Sequence, residues 1–241
     1  MQLFLSTQIN GNFITLSEEE SWHCIKVLRH VGGDEIAVID GVGGFYKGTI
    51  TEGHPKHCVV QITHSEQQYN KRPYYLHLAI APTKNSDRIE WFAEKAVEAG
   101  VDEISFVYCK NSERKIIKTD RVKKVIESAV KQSVQAYLPK VNELIAFNDF
   151  VKQQADINIK KLIAHCRDKQ TPVLSAHIHQ QQKVLCLIGP EGDFTTDEIE
   201  LALKSGFEPV SLGINRLRTE TAGVYVAVAM NYNSYELITN S

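Results

Sequence analysis

The sequence holds no apolar run of the roughly 18 residues that a membrane-crossing helix needs. Its opening stretch, MQLFLSTQINGNF, has neither a basic segment nor a long apolar one, so no secretory signal is expected. Cysteine is scarce. Cys24, Cys58, Cys109, Cys166 and Cys186 are odd in number, scattered and never spaced CxxC. That excludes a disulfide framework and predicts reduced, partly buried thiols in a cytoplasmic protein. HExxH is absent too, so no metal site is expected. His54, His57 and Cys58 lie close together, as do His165, Cys166, His177 and His179, but these positions read as strand and loop. An excess of charge is also missing. With 27 basic and 29 acidic residues the net charge is −2, so any case for nucleic acid must rest on local patches. What remains is the composition of an ordinary globular protein, and 241 residues suffice for one large domain or two small ones.

Residues 1–65 read as β-rich. Asn10-Gly11 is a turn signal. Ser17 with Glu20 forms a capping-box pattern, predicting a short helix from about Glu18 that carries Trp22, Ile25 and Leu28. Strand-like stretches follow at 35–39, 45–50 and 57–63, with a glycine-rich hairpin tip at 41–44. Their spacing suits a small barrel. Residues 65–74, SEQQYNKRPY, read as a linker.

Beyond Tyr75 strands alternate with helices. Strands are predicted at 76–81, 104–108, 162–165, 184–188 and 209–212. A helix over 87–99 should bury Ile89, Phe92, Ala93, Ala96 and Val97, with Gly100 as its stop. Thr119 caps a helix to about Ala136, and Thr195 to Glu198 is a second capping box. Residues 220–236 read as a buried apolar helix. This alternation predicts a mostly parallel sheet covered on both faces, an α/β fold.

In such sheets ligands gather at the carboxyl ends of the strands. Three loops there stand out. GPEGDF, Gly189 to Phe194, follows an apolar strand and offers free backbone N–H groups. It lacks the Lys-Ser/Thr of a phosphate loop and does not match GxGxxG. LGINRLRTETA, Leu212 to Ala222, sets Arg216 and Arg218 before an apolar helix, where a guanidinium can hold a phosphate or carboxylate in two-pronged fashion. The third, Pro82 to Arg88, is polar and ends in a helix cap. Charge is also placed unevenly. Residues 110–140 hold nine basic and three acidic residues, a local excess able to follow a phosphate backbone or simply to face solvent.

GPEGDF followed by LGINRLRTETA resembles the paired C-terminal motifs of the SPOUT methyltransferases. Specifically, they look like those of the 16S ribosomal RNA uridine-N3 methyltransferase (RsmE) family. His23 to Arg29 with Gly33-Asp34, Lys84, Glu94 to Val101, Ser112 to Arg114 and Gln132-Ser133 fit the same pattern in order, across about the whole chain. Four departures stand out. Asp193 replaces a usual glycine, and Asn215 stands where an arginine is usual. Gln135 stands where the helix motif has arginine, and Gln2-Leu3 replaces basic residues.

The resemblance implies a PUA-like RNA-binding β-barrel over 1–70 and, over 74–241, a SPOUT methyltransferase domain with a trefoil knot. It implies S-adenosyl-L-methionine as cofactor, 16S rRNA of the small ribosomal subunit as substrate, and a homodimer without membrane attachment. On that basis Ile188, Gly189, Glu191, Gly192, Leu212, Gly213, Leu217 and Thr221 are expected around the cofactor. Arg218 is the first catalytic candidate and Glu220 a weaker one as base. His23, Arg29, Lys84, Arg114 and Gln132 are expected on the RNA. Two other readings stay open. One is a non-catalytic RNA-binding or ribosome-assembly factor, and the other an enzyme acting on a small phosphorylated metabolite. Cofactor binding separates the methyltransferase from both.

Overall fold

A computed structural model describes residues 2–166, 171–178 and 183–239, with side chains to residue 234. The chain divides into two units, Met1–Lys71 with Glu127–Leu138, and Arg72–Ile126 with Pro139–Ser241.

In the first unit, β1 (Leu3–Leu5), β2 (Ile9–Asn10) and β3 (Phe13–Thr15) precede α1 (Glu18–Trp22). Then come β4 (Glu35–Ile39), β5 (Phe45–Glu52) and β6 (Val59–Glu66). They form one curled sheet in the order β1-β4-β5-β6-β3-β2, with Ile14, Leu16, Val38, Ile50 and Val60 in its core. Half of the expected capping box forms. Ser17 Oγ accepts from the Glu20 amide at 3.2 Å, while the Glu20 carboxylate pairs with Lys131 at 2.5 Å. The chain then widens into a π-type turn, His23–Val27. That turn rotates the apolar face, so Trp22 is 56% exposed rather than packed, while Ile25 and Leu28 are half-buried.

Residues 127–138 belong to this first unit, although the sequence placed its only break at 65–74. Besides the Lys131–Glu20 pair, the Gly43 amide donates to the Ala136 carbonyl at 3.0 Å and the Leu138 amide to the Gly41 carbonyl at 2.8 Å. Backbone pairing at the hairpin tip thus outweighs sequence distance.

The second unit contains β7 (Tyr75–Ile80), α2 (Ser86–Ala99), β8 (Glu103–Tyr108) and α3 (Thr119–Gln132), whose last turns belong to the first unit. Next are β9 (Lys140–Ala146), α4 (Phe147–Gln154), β10 (Lys160–Ala164) and β11 (Lys183–Ile188). Finally come α5 (Thr196–Lys204), β12 (Glu208–Val210) and α6 (Thr219–Thr239). The strands form an all-parallel sheet, β12-β10-β11-β7-β8-β9. Its central strands are mostly apolar, as a sheet covered on both faces requires, with His77 and Ser105 as buried polar exceptions. Helix α2 buries Ile89, Phe92, Ala93, Ala96 and Val97 and stops at Gly100, where φ is +98°. At α5 the full capping box forms between Thr195 and Glu198. Helix α6 departs from expectation. It packs on α2 so closely that a Cβ on Gly223 would collide with the Phe92 ring. Yet Tyr225, Val228 and Tyr232, spaced by three and four, are 45%, 52% and 61% exposed. One apolar face of this helix is therefore open rather than buried.

The parallel register places the site. Ile80, Ile188, Ala164 and Val210 align in one rung across β7, β11, β10 and β12. The chain therefore leaves all four strands at one edge, and three of the departing segments carry the loops singled out by sequence. Among the described residues, no helix is long and apolar enough to cross a membrane.

Candidate active site

The three loops meet at that edge. The Thr219 hydroxyl donates to the Gly189 carbonyl at 2.9 Å, and Arg216 Nη2 to the Glu191 carbonyl at 3.2 Å. These two bonds join LGINRLRTETA to GPEGDF. The Lys84 amide donates to Glu191 Oε1 at 3.1 Å, tying in the loop after β7. A fourth segment joins from the loop after β8. Asn111 Nδ2 donates to the carbonyls of Gly192 and Asp193 at 3.2 and 3.0 Å, and the Lys110 amide donates to Glu198 Oε1 at 2.8 Å. The α5 capping carboxylate thus also holds the neighbouring loop.

Of the expected cofactor residues, Ile188 ends β11, buried, and Gly189, Glu191 and Gly192 follow it directly. Leu212, Gly213 and Leu217 lie on the loop after β12. Gly213 has φ +117° and open space where a Cβ would point, a backbone that only glycine adopts at low cost. Glu191 Oε2 is buried and lacks a hydrogen-bond partner among the described residues. Thr221 faces solvent, and Thr219 makes the contact between loops instead.

The two catalytic candidates separate. Arg218 is exposed, immediately before α6, with no carboxylate at ion-pair distance among the described residues. Glu220 is 5% exposed. Its Oε1 lies 3.7 Å from Arg88 Nε, and its Oε2 is buried without a partner among the described residues. Of the expected RNA contacts, His23, Arg29 and Gln132 lie exposed on the first unit, and Arg29 has φ +62°. Lys84 and Arg114 line one cavity of the second unit. Asn111 was not singled out by sequence, and Arg88 only as the end of the loop after β7, with no role of its own. The signal for Asn111 was its place just past the carboxyl end of β8. Nothing local distinguishes Arg88 from a solvated helix residue.

Asp193, the departure from the resembling motif, has φ +60°, a conformation that aspartate tolerates better than most residues. Its carboxylate accepts from the Phe194 amide at 2.8 Å and from the Cys166 amide at 3.2 Å. Asp193→Ala removes both bonds and leaves a Cβ in the left-handed region, so a loss of roughly 1–3 kcal/mol is expected. Asp193→Gly should lose less. Urea unfolding of both variants checks this, and equal losses would contradict it.

Among the described residues no group of three or more His, Cys, Asp or Glu is placed to hold a metal ion. His179 lies outside the described residues.

Comparison with known proteins fits this geometry. Residues 70–231 match the family model for an RNA methyltransferase domain, and residues 16–63 that for an RNA methyltransferase PUA domain. Over 232 residues the chain is 34% identical to the ribosomal RNA small subunit methyltransferase E of Mesomycoplasma hyopneumoniae, covering 94% of this chain and 97% of that one. The chain belongs to the ribosomal RNA small subunit methyltransferase E family. The crystal structure of a probable rRNA-methyltransferase from Porphyromonas gingivalis superposes with a TM-score of 0.89. It is 37% identical and covers 98% of this chain and 100% of its own. A family member from Neisseria gonorrhoeae, solved bound to S-adenosyl methionine, gives a TM-score of 0.84. It is 25% identical and covers 96% of this chain and 97% of its own. Family membership makes the chain an RNA methyltransferase, with the α/β and PUA architecture described above.

Proposed function

We propose that this protein methylates N3 of a uridine in 16S rRNA of the small ribosomal subunit, using S-adenosyl-L-methionine, in the cytoplasm and as a homodimer. The observation that carries the reading is the junction of GPEGDF and LGINRLRTETA through Thr219–Gly189 and Arg216–Glu191. The residues there fit the cofactor. Backbone groups and the open side of Gly213 suit an adenine and ribose, and the unpartnered Glu191 oxygen suits a nearby positive charge. When bound, S-adenosylmethionine supplies a methyl group already activated on a sulfonium.

The chain's own residues supply binding and positioning. Ile188, Gly189, Glu191, Gly192, Leu212, Gly213 and Leu217 surround the cofactor, with Thr221 at the rim. Uracil N3 carries a proton near neutral pH; that proton passes to water as N3 takes the methyl group, so the developing anion needs stabilisation. Arg218, exposed and without a carboxylate at ion-pair distance among the described residues, holds the uridine and offsets the charge on O2 and O4. Burial of Glu220 against Arg88 favours anchoring the first turn of α6 over proton abstraction. His23, Arg29, Gln132, Lys84 and Arg114 meet the RNA. The cysteines suit a reducing compartment, since the four buried ones are free thiols.

The test is methyl transfer from labelled S-adenosylmethionine to small subunits lacking the modification, with the modified base identified by mass spectrometry. Label in N3-methyluridine at one position is expected. Cofactor binding without label would point to another RNA. Neither binding nor label would favour an assembly factor. The homodimer rests on the open face of α6. Tyr225→Glu with Val228→Glu should convert a dimer to a monomer in analytical ultracentrifugation, and an unchanged mass would remove α6 from the interface.

A further inference from the structure

The loops after β7 and β8 enclose a cavity of about 540 Å³ at the carboxyl edge of the sheet, within the roughly 300–1,000 Å³ typical of small-ligand pockets. Ile89 and Val122, each 2% exposed, form its apolar floor, and Ile116, 76% exposed, stands at its mouth. Five cations and two carboxylates line it. Arg121 is neutralised by Glu90 at 2.7 Å and Lys84 by Glu113 at 3.0 Å. Arg114, Lys115 and Lys118 have no ion-pair partner among the described residues. The cavity therefore combines an apolar interior with a rim of three uncompensated positive charges, the chemistry of a nucleotide rather than of an apolar or cationic ligand.

Two features favour a strand over a free metabolite. Beyond the cavity α3 adds Lys124, exposed and without an ion-pair partner among the described residues, one turn past the neutralised Arg121, a further cation for a phosphate backbone. The apolar Ile116 is also held out among the cations instead of being withdrawn.

Both walls are tied to GPEGDF, one through the Lys84 amide and the other through Asn111. An occupant therefore sits beside the cofactor loop. Arg218, assigned above to the reacting uridine, is not among the lining residues.

We propose that this cavity receives an unstacked nucleotide flanking the target uridine, its base against Ile89 and Val122 and its phosphate on Arg114, Lys115 and Lys118. The pocket then reads or fixes the register of the strand. This rests on the RNA methyltransferase reading of the adjoining site.

Three variants test it. These are Ile116→Glu at the mouth, Arg114→Ala with Lys118→Ala at the rim, and Lys152→Glu on the exposed surface of α4 as a charge-matched control. With small subunits as substrate, the first two should lose at least tenfold in kcat/KM, mainly through KM. Calorimetric affinity for S-adenosylmethionine should stay within twofold, and Lys152→Glu should match wild type. For oligouridylate binding followed by fluorescence anisotropy, the double variant should flatten the slope of log affinity against log salt by roughly 1.4, two phosphate contacts at about 0.7 each. Unchanged kcat/KM and salt slope in folded variants would overturn the pocket. Micromolar binding of uridine 5′-monophosphate that the double variant abolishes would overturn it in favour of a metabolite site. If wild type transfers no methyl, the parent reading fails, and the oligouridylate slope still decides the pocket.

Discussion

Replacing Arg218 by alanine will slow methyl transfer by roughly 10²–10³-fold, the usual cost of removing one donor to a developing anion, with cofactor affinity held within a few-fold. The contrast with its neighbour makes the expectation specific. Arg216 spends a guanidinium nitrogen on the Glu191 carbonyl, so its loss should loosen the cofactor loop. Arg218 makes no such bond among the described residues, and its side chain stands exposed just before α6. Single-turnover rates and calorimetric cofactor affinity separate the two roles. If Arg218→Ala turns over at the wild-type rate, the residue is structural and another cation must meet the uracil. Arg218→Lys restores the charge without the planar fork, so partial recovery is expected.

Acid should weaken the fold well before carboxylates titrate. His77, on β7, is 5% exposed. Its Nε2 lies 2.8 Å from Ser105 Oγ and 3.9 Å from Glu103, with the Phe150 ring edge-on. Burial pushes its imidazole down to about 4, overriding the attraction of Glu103 and helped by the repulsion of Lys140. The unfolded chain takes up a proton near pH 6.5 that the folded protein refuses until about pH 4. Stability from this group is thus complete above pH 6.5 and lost as pH falls towards 4, by on the order of 3 kcal/mol. Glu103 adds a lower limb. Burial opposes its charge, but hydrogen bonds from Tyr75, Asn142 and Lys140 and the His77 charge hold its carboxyl at about 2, so its contribution is present above pH 4.5 and fades below. Urea midpoints at pH 7, 5.5 and 4 measure the upper limb. His77→Leu should flatten it, and an equal slope in that variant would assign the acid sensitivity elsewhere.

Sequence alone located most of what matters. The buried face of α2 followed from periodicity, the start of α5 from Thr195 and Glu198, and the three site loops from their position after strands. What it missed lacked a local signal. β9 is half-buried without alternation, and α4 begins at Phe147 after Ala146, which offers no side-chain cap, so neither announces itself. The attachment of residues 127–138 to the first unit depends on backbone pairing with a hairpin some 90 residues earlier. The open face of α6 is as apolar as a core helix, and composition cannot tell a face that meets solvent from one that meets protein. Asn111 and Arg88 act through partners distant in sequence.

The common rung of Ile80, Ala164, Ile188 and Val210 bears on how such a protein can vary over generations. Ladder pairing fixes where each loop begins, and a one-residue slip in a central strand would reverse every side chain beyond it. Past the rung, apart from the single bridge of Ser211 to Val173, no ladder holds these departing segments among the described residues. Asp193 and Asn215, where this sequence differs from the motifs it resembles, both fall there. Drift in substrate preference is thus open to the loops one residue at a time, while the strands beneath them can change only together.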